Sequence, residues 1–221
     1  MENLDNQNLE VQNEEQTTAP EFHSRIDMTE LSESLTKVKS EIAKVIVGQE
    51  SMIEHLLVAL LSNGHVIIEG VPGVAKTVTA KLLAKTISVG FSRIQFTPDL
   101  MPSDILGTSV FNAKNTEFEY KKGPIFSNFI LIDEINRSPA KTQAALFEVM
   151  EERQITMDGT LYKMEEPFLV VATQNPIEHE GTYRLPEAQL DRFLFKINVD
   201  YPNLAQEIEI VKNQHENRLD D

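Results

Sequence analysis

Short runs of consecutive apolar residues alternate along this chain with longer segments in which apolar residues recur at steps of three and four. The runs cover residues 66–68, 129–132 and 168–172. Because each run is apolar at every position, both faces should be buried, as in the central strands of a parallel sheet that helices cover on either side. A further strand is expected at 195–199. The pattern predicts an α/β fold.

The segments with helical periodicity predict the crossover helices. These helices are expected at residues 27–47, 49–62, 76–87, 138–152 and 203–217. Asp27 and Glu30 have the spacing of a capping box at the start of the first helix, and Gly48 is expected to end it. Residues 109–126 and 154–164 alternate instead around polar turns, which predicts two β-hairpins inserted into the α/β core.

Composition narrows the class of protein. The 221 residues carry a formal net charge of −15, which disfavours a general attraction to nucleic acid or to an anionic membrane. There is no cysteine, which fits a cytoplasmic location and leaves no disulfide framework or cysteine metal site. The acidic, amide-rich start of the chain is not a signal peptide, and residues 1–26 are expected to form a disordered tail.

The first apolar run leads into the sequence GVPGVAKT, which departs from the phosphate-binding pattern G-x-x-x-x-G-K-[ST] only at Ala75. In such a loop the backbone N–H groups point at a phosphate, Lys76 adds positive charge, and the Thr77 hydroxyl can bind Mg²⁺. Alanine costs little here if its φ angle is negative. The loop residues are Gly70, Val71, Pro72, Gly73, Val74, Ala75, Lys76 and Thr77. Alone, the pattern also fits a strand-to-helix turn with an exposed lysine.

Acidic and amide residues follow the other two apolar runs. Asp133 and Glu134 come directly after the second run, and Asn175 follows the third. A Mg²⁺-phosphate site needs one carboxylate near the metal and another to activate water, so we predict Asp133 for the metal and Glu134 for the general base. Asn175 could hold the attacking water or the terminal phosphate. The simpler interpretations are acids that begin a helix and an asparagine in a turn.

Arg192 lies near the end of a short predicted helix, where an arginine by itself is most often solvated. His55, His65 and His179 have no metal-site spacing and are interpreted as structural residues.

Three stretches of this sequence resemble the MoxR family of AAA+ ATPases. They are EGVPGVAKT, FILIDEINRSPAKTQAALFEVMEERQ and ATQNPIEHEGTYRLPEAQLDRF. That family commonly has alanine before the loop lysine. The resemblance implies a P-loop NTPase core of three αβα layers with a five-stranded parallel sheet and hairpin insertions. It also implies ring assembly, usually hexameric, with ATP and Mg²⁺ at the subunit boundaries.

The resemblance further implies roles for individual residues. These are the phosphate loop at residues 70–77, the acidic motif at Asp133 and Glu134, the first sensor at Asn175, an arginine that reaches a neighbouring subunit's γ-phosphate at Arg192, and an adenine contact at Gly48 and Gln49. The implied output is chaperone-like remodelling or activation of client proteins, including proteins with von Willebrand factor A domains.

Domain limits follow from the same resemblance. Residues 27–200 would be the AAA+ core, and residues 201–221 would begin the connection to a helical lid that this sequence does not include. Without that lid, nucleotide binding could persist while hydrolysis and ring formation weaken. Arg184 stands where the family pattern has proline.

Two other functions stay open from the sequence. One is a nucleotide-responsive interaction module with little hydrolysis. The other is a DNA-remodelling relative in the same superfamily, which the negative charge disfavours.

Overall fold

The computed structural model describes residues 28–71, 73–175 and 185–215. In chain order its strands are β1 (Val66–Gly70), β2 (Phe91–Gln95), β3 (Gly107–Asn112), β4 (Glu117–Lys122), β5 (Phe129–Asp133), β6 (Gln154–Met157), β7 (Thr160–Lys163), β8 (Leu169–Gln174) and β9 (Phe195–Val199). Five of them form a sheet in the order β2-β5-β8-β1-β9, and every pairing in it is parallel. The predicted five-stranded parallel sheet is thus confirmed.

Helices connect these strands close to the predicted positions. They are α1 (Thr29–Ala43), α2 (Glu50–Leu61), α3 (Lys76–Thr86), α4 (Pro102–Leu106), α5 (Ala140–Glu152), α6 (Glu187–Leu190) and α7 (Leu204–His215). Single 3-10 turns occur at Pro124–Phe126 and Ile135–Arg137. No helix in the described ranges is long and apolar enough to cross a membrane.

Alternate residues of the central strands face two separate apolar cores. Leu131 and Val171 pack on one side with residues of α1, α2 and α3. Ile130 and Val170 pack on the other side with residues of α5. Because each strand is buried on both faces, it needs an unbroken apolar run, which is the pattern that predicts it. The arrangement is the three-layer αβα core.

The predicted limits of the first helix were wrong. The helix ends at Ala43, because the next residues leave it to bury Ile46 against the core. Gly48 therefore does not end the helix; it has a φ angle of +77° in the turn before α2. Met28 occupies the N-cap position without a side-chain capping bond, and Asp27 lies outside the described residues.

Strand β2 has no counterpart among the strands located from the sequence pattern. Its sequence, FSRIQ, contains polar residues because β2 lies at the edge of the sheet and pairs with β5 alone. Only Ile94 in this strand is buried.

Both predicted hairpins are present, as β3 with β4 and β6 with β7. The first begins slightly earlier than expected, at Gly107. The Ser109 hydroxyl donates to the Asp158 carboxylate and so links the two hairpins. Some predictions concern residues outside the described part of the chain. These are the expected N-terminal tail, Pro72, His179, Arg184 and the last six residues.

His65 fixes the end of the sheet opposite to the phosphate loop. Its ring is buried, its Nδ1 atom accepts the Val170 N–H at 3.1 Å, and its Nε2 atom lies 3.2 Å from the Met150 carbonyl oxygen. This pair of bonds requires the neutral ring with the proton on Nε2. Burial lowers the pKa of His65 to about 4; the charge of Arg153 adds to this effect, while the Met150 bond and the charge of Glu151 oppose it.

We expect His65 to make the fold sensitive to acid. Unfolded His65 binds a proton below pH 6.5, whereas folded His65 does so only near pH 4, so the free energy of unfolding should fall as the pH falls through this window. The loss attributable to His65 is about 3 kcal/mol. Urea unfolding at several pH values should show a shallower pH dependence in His65→Gln than in the parent chain, and parallel curves would contradict the assignment.

Candidate active site

The loop between β1 and α3 is held partly in left-handed backbone conformations. Gly73 has a φ angle of +87° and Ala75 one of +57°. The condition under which alanine would cost little, a negative φ angle, is therefore not met: Ala75 adopts a conformation that glycine adopts more readily. The reason is positional, since Ala75 is the N-cap of α3 and directs the chain into the helix. Thr77 lies half-buried in the first helical turn.

Lys76 is half-buried beside the acidic pair. Its Nζ atom donates to the Gly70 carbonyl oxygen at 2.8 Å, across the mouth of the loop. Burial lowers the pKa of Lys76, and the negative charges of Asp133 and Glu134 act on the lysine in the opposite direction. The ammonium group and the two carboxylates therefore lie close enough to interact electrostatically, although they come from distant parts of the sequence.

Asp133 is held on both of its carboxylate oxygens. The Arg93 Nε atom donates to Oδ2 at 2.6 Å, and the Thr173 hydroxyl donates to Oδ1 at 3.2 Å. The carboxyl side chain is only 11% exposed. A buried carboxylate is costly unless its oxygens are hydrogen-bonded, so these two partners are what allow Asp133 to lie at the end of β5.

The Glu134 carboxylate has different partners from the Asp133 carboxylate. Its backbone is left-handed, with a φ angle of +58°, and its N–H donates to the Thr173 hydroxyl at 3.1 Å. Its Oε2 atom accepts from Gln95 Nε2 at 2.8 Å and lies 3.1 Å from Arg137 Nε. The bend after Asp133 thus separates the two acids, which gives each carboxylate its own set of partners.

Asn175 is brought to the same rim of the sheet by strand register. Gln174 of β8 pairs with Glu69 of β1, so Asn175 follows at the level where Gly70 opens the loop. The structure therefore brings together Lys76, Asp133, Glu134 and Asn175, as expected from the three apolar runs. Their chemical roles stay predictions.

Gly48 and Gln49 line a neighbouring cleft of about 220 Å³. Its other wall includes Asn198, Asp200 and Tyr201, at the carboxyl end of β9. Strand β9 pairs with β1, so this cleft adjoins the start of the phosphate loop. The contact of Gly48 and Gln49 with an adenine stays a prediction.

Arg192 lies away from these groups. It follows α6, and its Nη1 atom donates to the Glu151 carboxylate near the end of α5. Within the described part of the chain, Arg192 pairs with Glu151 and not with Lys76, Asp133 or Glu134.

The donor set at the rim fits a magnesium–polyphosphate ligand. A hydroxyl at Thr77 and a carboxylate at Asp133 are the oxygen ligands that Mg²⁺ takes, and Lys76 supplies charge for phosphate. Arg93, Gln95 and Thr173 are partners of the acids that sequence reasoning missed. Arg93 and Gln95 are two positions apart and share a strand face, but that signal could not be used without locating β2.

Comparison with known proteins identifies the family. The model of the ATPase family associated with various cellular activities (AAA) matches residues 65–195. The chain belongs to this family.

Its similarity to MoxR proteins is also clear. This chain is 56% identical over 178 residues to Chaperone MoxR1 of Mycobacterium tuberculosis. The match covers 80% of this chain and 47% of that protein. It is 30% identical over 184 residues to Protein MoxR of Methylorubrum extorquens, covering 81% and 53%. The chain thus spans about half the length of these curated relatives. The expected MoxR-type AAA+ family is confirmed.

A solved structure agrees with this assignment. A crystal structure of a candidate ATPase from Cytophaga hutchinsonii superposes on the AAA chain with a TM-score of 0.73 and 50% sequence identity. The match covers 87% of this chain and 61% of that one.

The left-handed conformation of Ala75 can be tested with two alanine-to-glycine substitutions that should change the free energy of unfolding in opposite directions. Ala75→Gly should raise the free energy of unfolding by about 1 kcal/mol, because glycine adopts the left-handed conformation without a steric cost. The matched control Ala144→Gly, at an exposed position inside α5, should lower it by about 1 kcal/mol. Urea unfolding measures both. A loss of stability in both variants would show that Ala75 is not strained.

Proposed function

We propose that this chain binds ATP with Mg²⁺ and hydrolyses it to ADP and phosphate. The observation that supports this most directly is the meeting of Lys76 with Asp133 and Glu134 at the end of the β1 loop. A lysine beside two carboxylates at a phosphate loop suits a reaction in which positioning and charge supply most of the catalysis.

Each group has a distinct part in the proposed reaction. Lys76 leaves the Gly70 carbonyl oxygen and binds the outer phosphates. The Thr77 hydroxyl and Asp133 would hold Mg²⁺, which when bound offsets the charge of the phosphate oxygens. Glu134 accepts the proton of the attacking water, and Asn175 orients that water or the terminal phosphate. Gly48 and Gln49 contact the adenine in the neighbouring cleft.

We further propose that the site is completed by a second subunit in a ring, which by family resemblance is hexameric. Arg192 is paired with Glu151 near the end of α5, whereas the acids lie before the start of this helix, which suits an arginine that serves a neighbour. An arginine placed on the transferred phosphate in this way accelerates hydrolysis strongly in other nucleotide hydrolases. The work done would be chaperone-like remodelling of client proteins in the cytoplasm, von Willebrand factor A domain proteins among them.

Glu134→Gln tests the catalytic assignment. The variant should bind a fluorescent ATP analogue as the parent chain does, because the amide keeps the shape of the side chain. It should lose at least about 100-fold in ATP turnover, because an amide cannot accept the proton. The control is Glu148→Gln, which makes the same change at an exposed position of α5. Turnover that is unchanged in Glu134→Gln would refute the role of Glu134.

Protein concentration tests the shared site. If Arg192 acts on a neighbouring subunit, ATP turnover per subunit should rise with concentration as rings form, and Arg192→Ala should abolish that rise. A nucleotide-responsive interaction module would instead bind ATP with little hydrolysis, and its turnover per subunit would not change with concentration. Steady-state phosphate release, measured alongside light scattering, separates these outcomes.

A further inference from the structure

Two contacts hold the backbone directly after Arg192, one with α5 and one with the residue before β1. Phe193 is buried, and its ring packs edge to face on Phe147 of α5, with the ring centres 5.9 Å apart. The next residue, Leu194, donates its N–H to the His65 carbonyl oxygen at 2.8 Å. These contacts restrain the main chain that follows Arg192, so the direction of the guanidinium depends mainly on its own side chain.

The same helix also holds the arginine side chain. Glu151 lies four residues after Phe147, so the two share one face of α5. The Glu151 carboxylate accepts the Arg192 Nη1 N–H. Both groups reach solvent, with the Glu151 side chain 60% exposed and that of Arg192 37% exposed. One helical turn thus anchors the backbone through Phe147 and orients the guanidinium through Glu151.

We propose that Glu151 is a positioning residue that presents Arg192 to the phosphates bound by a neighbouring copy of this chain. The proposal rests on the proposed function, in which Arg192 acts across the subunit boundary. Glu151 touches neither nucleotide nor water in this scheme; it acts only through the arginine.

The geometry favours orientation over obstruction. Among the described residues, Glu151 accepts from Arg192 through Nη1, so the N–H groups on Nη2 and Nε can donate to phosphate oxygens. An arginine side chain has several rotatable bonds, and holding it in one direction before it meets a phosphate reduces the entropy lost on engagement. Because the pair is exposed, it is weak, and it can adjust when a stronger anion approaches.

A structural role for the ion pair has to be separated from a positioning role. A surface pair of this kind could merely add a little stability to the end of α5. Loss of such stability would alter the subunit that carries the substitution, whereas loss of positioning would alter catalysis in its neighbour. The decisive measurement therefore places the Glu151 substitution in a subunit whose own site is already inactive.

The experiment mixes two variants of the chain in equal amounts. The receiving subunit carries Arg192→Ala, which keeps its own lysine and acids but lacks the arginine. The donating subunit carries Glu134→Gln, which is inactive itself but keeps Arg192. Mixing should restore ATP turnover, because the donor's arginine completes the receiver's site. The donor is then tested with a second substitution, Glu151→Gln or the matched control Glu148→Gln on the same helix.

We expect the Glu151→Gln donor to restore a kcat about two- to five-fold lower than the control donor does, the range that an exposed ion pair supports. The KM for ATP should not change, because loss of an interaction made only in the transition state lowers kcat and kcat/KM by the same factor. Light scattering and thermal unfolding of each mixture check that both donors assemble and fold alike.

Each other outcome overturns a defined part of the scheme. Equal rescue by the Glu151→Gln and Glu148→Gln donors would remove the role of Glu151 and leave the proposed function standing. Greater rescue by the Glu151→Gln donor would mean that Glu151 restrains Arg192, which also contradicts the proposal. No rescue by the Glu134→Gln donor would refute the action of Arg192 across the boundary, and the positioning role with it.

Discussion

Parallel hydrogen bonding between β5, β8 and β1 is the constraint on which the rest of this domain depends. Ile132 lies opposite Ala172 on one side of β8, and Ile68 lies opposite Thr173 on the other. These registers bring the carboxyl ends of all three strands to one rim, where each apolar run ends in polar residues. A slip of one residue would turn every side chain of a strand to the opposite face, and would take the Thr173 hydroxyl away from Asp133.

Charge at that rim is balanced by local partners. Two adjacent carboxylates repel each other, and Lys76 offsets part of that charge; the edge strand β2 adds hydrogen bonds from Arg93 and Gln95. Both residues lie on one face of β2, so a strand that contributes little to the core positions the acids instead. In a chain with a net charge of −15, Lys76 and Arg93 thus lie at the same rim as the two acids.

Helix α5 connects this rim to the surface that we propose faces another subunit. It begins shortly after the acidic pair and ends near Glu151, and its 13 residues span about 20 Å. Buried residues along its length, among them Leu146, Phe147 and Met150, pack in the core and hold the helix in place. In the proposed reaction, the acids of a chain lie before the start of this helix, and the arginine that serves the neighbouring subunit lies near its end.

The sequence by itself determined the buried strands and the family. Apolar runs such as 129–132 must be buried on both faces, and the sequence motifs around Lys76 and Asp133 are specific to one family of ATPases. The sequence could not locate β2, because an edge strand needs no apolar run. It also could not predict the left-handed φ angle of Ala75, which depends on how the loop enters α3. Tertiary structure alone decided the partners of Asp133, Glu134 and Arg192. Hydrogen bonds between side chains far apart in the chain depend on strand register and helix packing, and no local pattern encodes those.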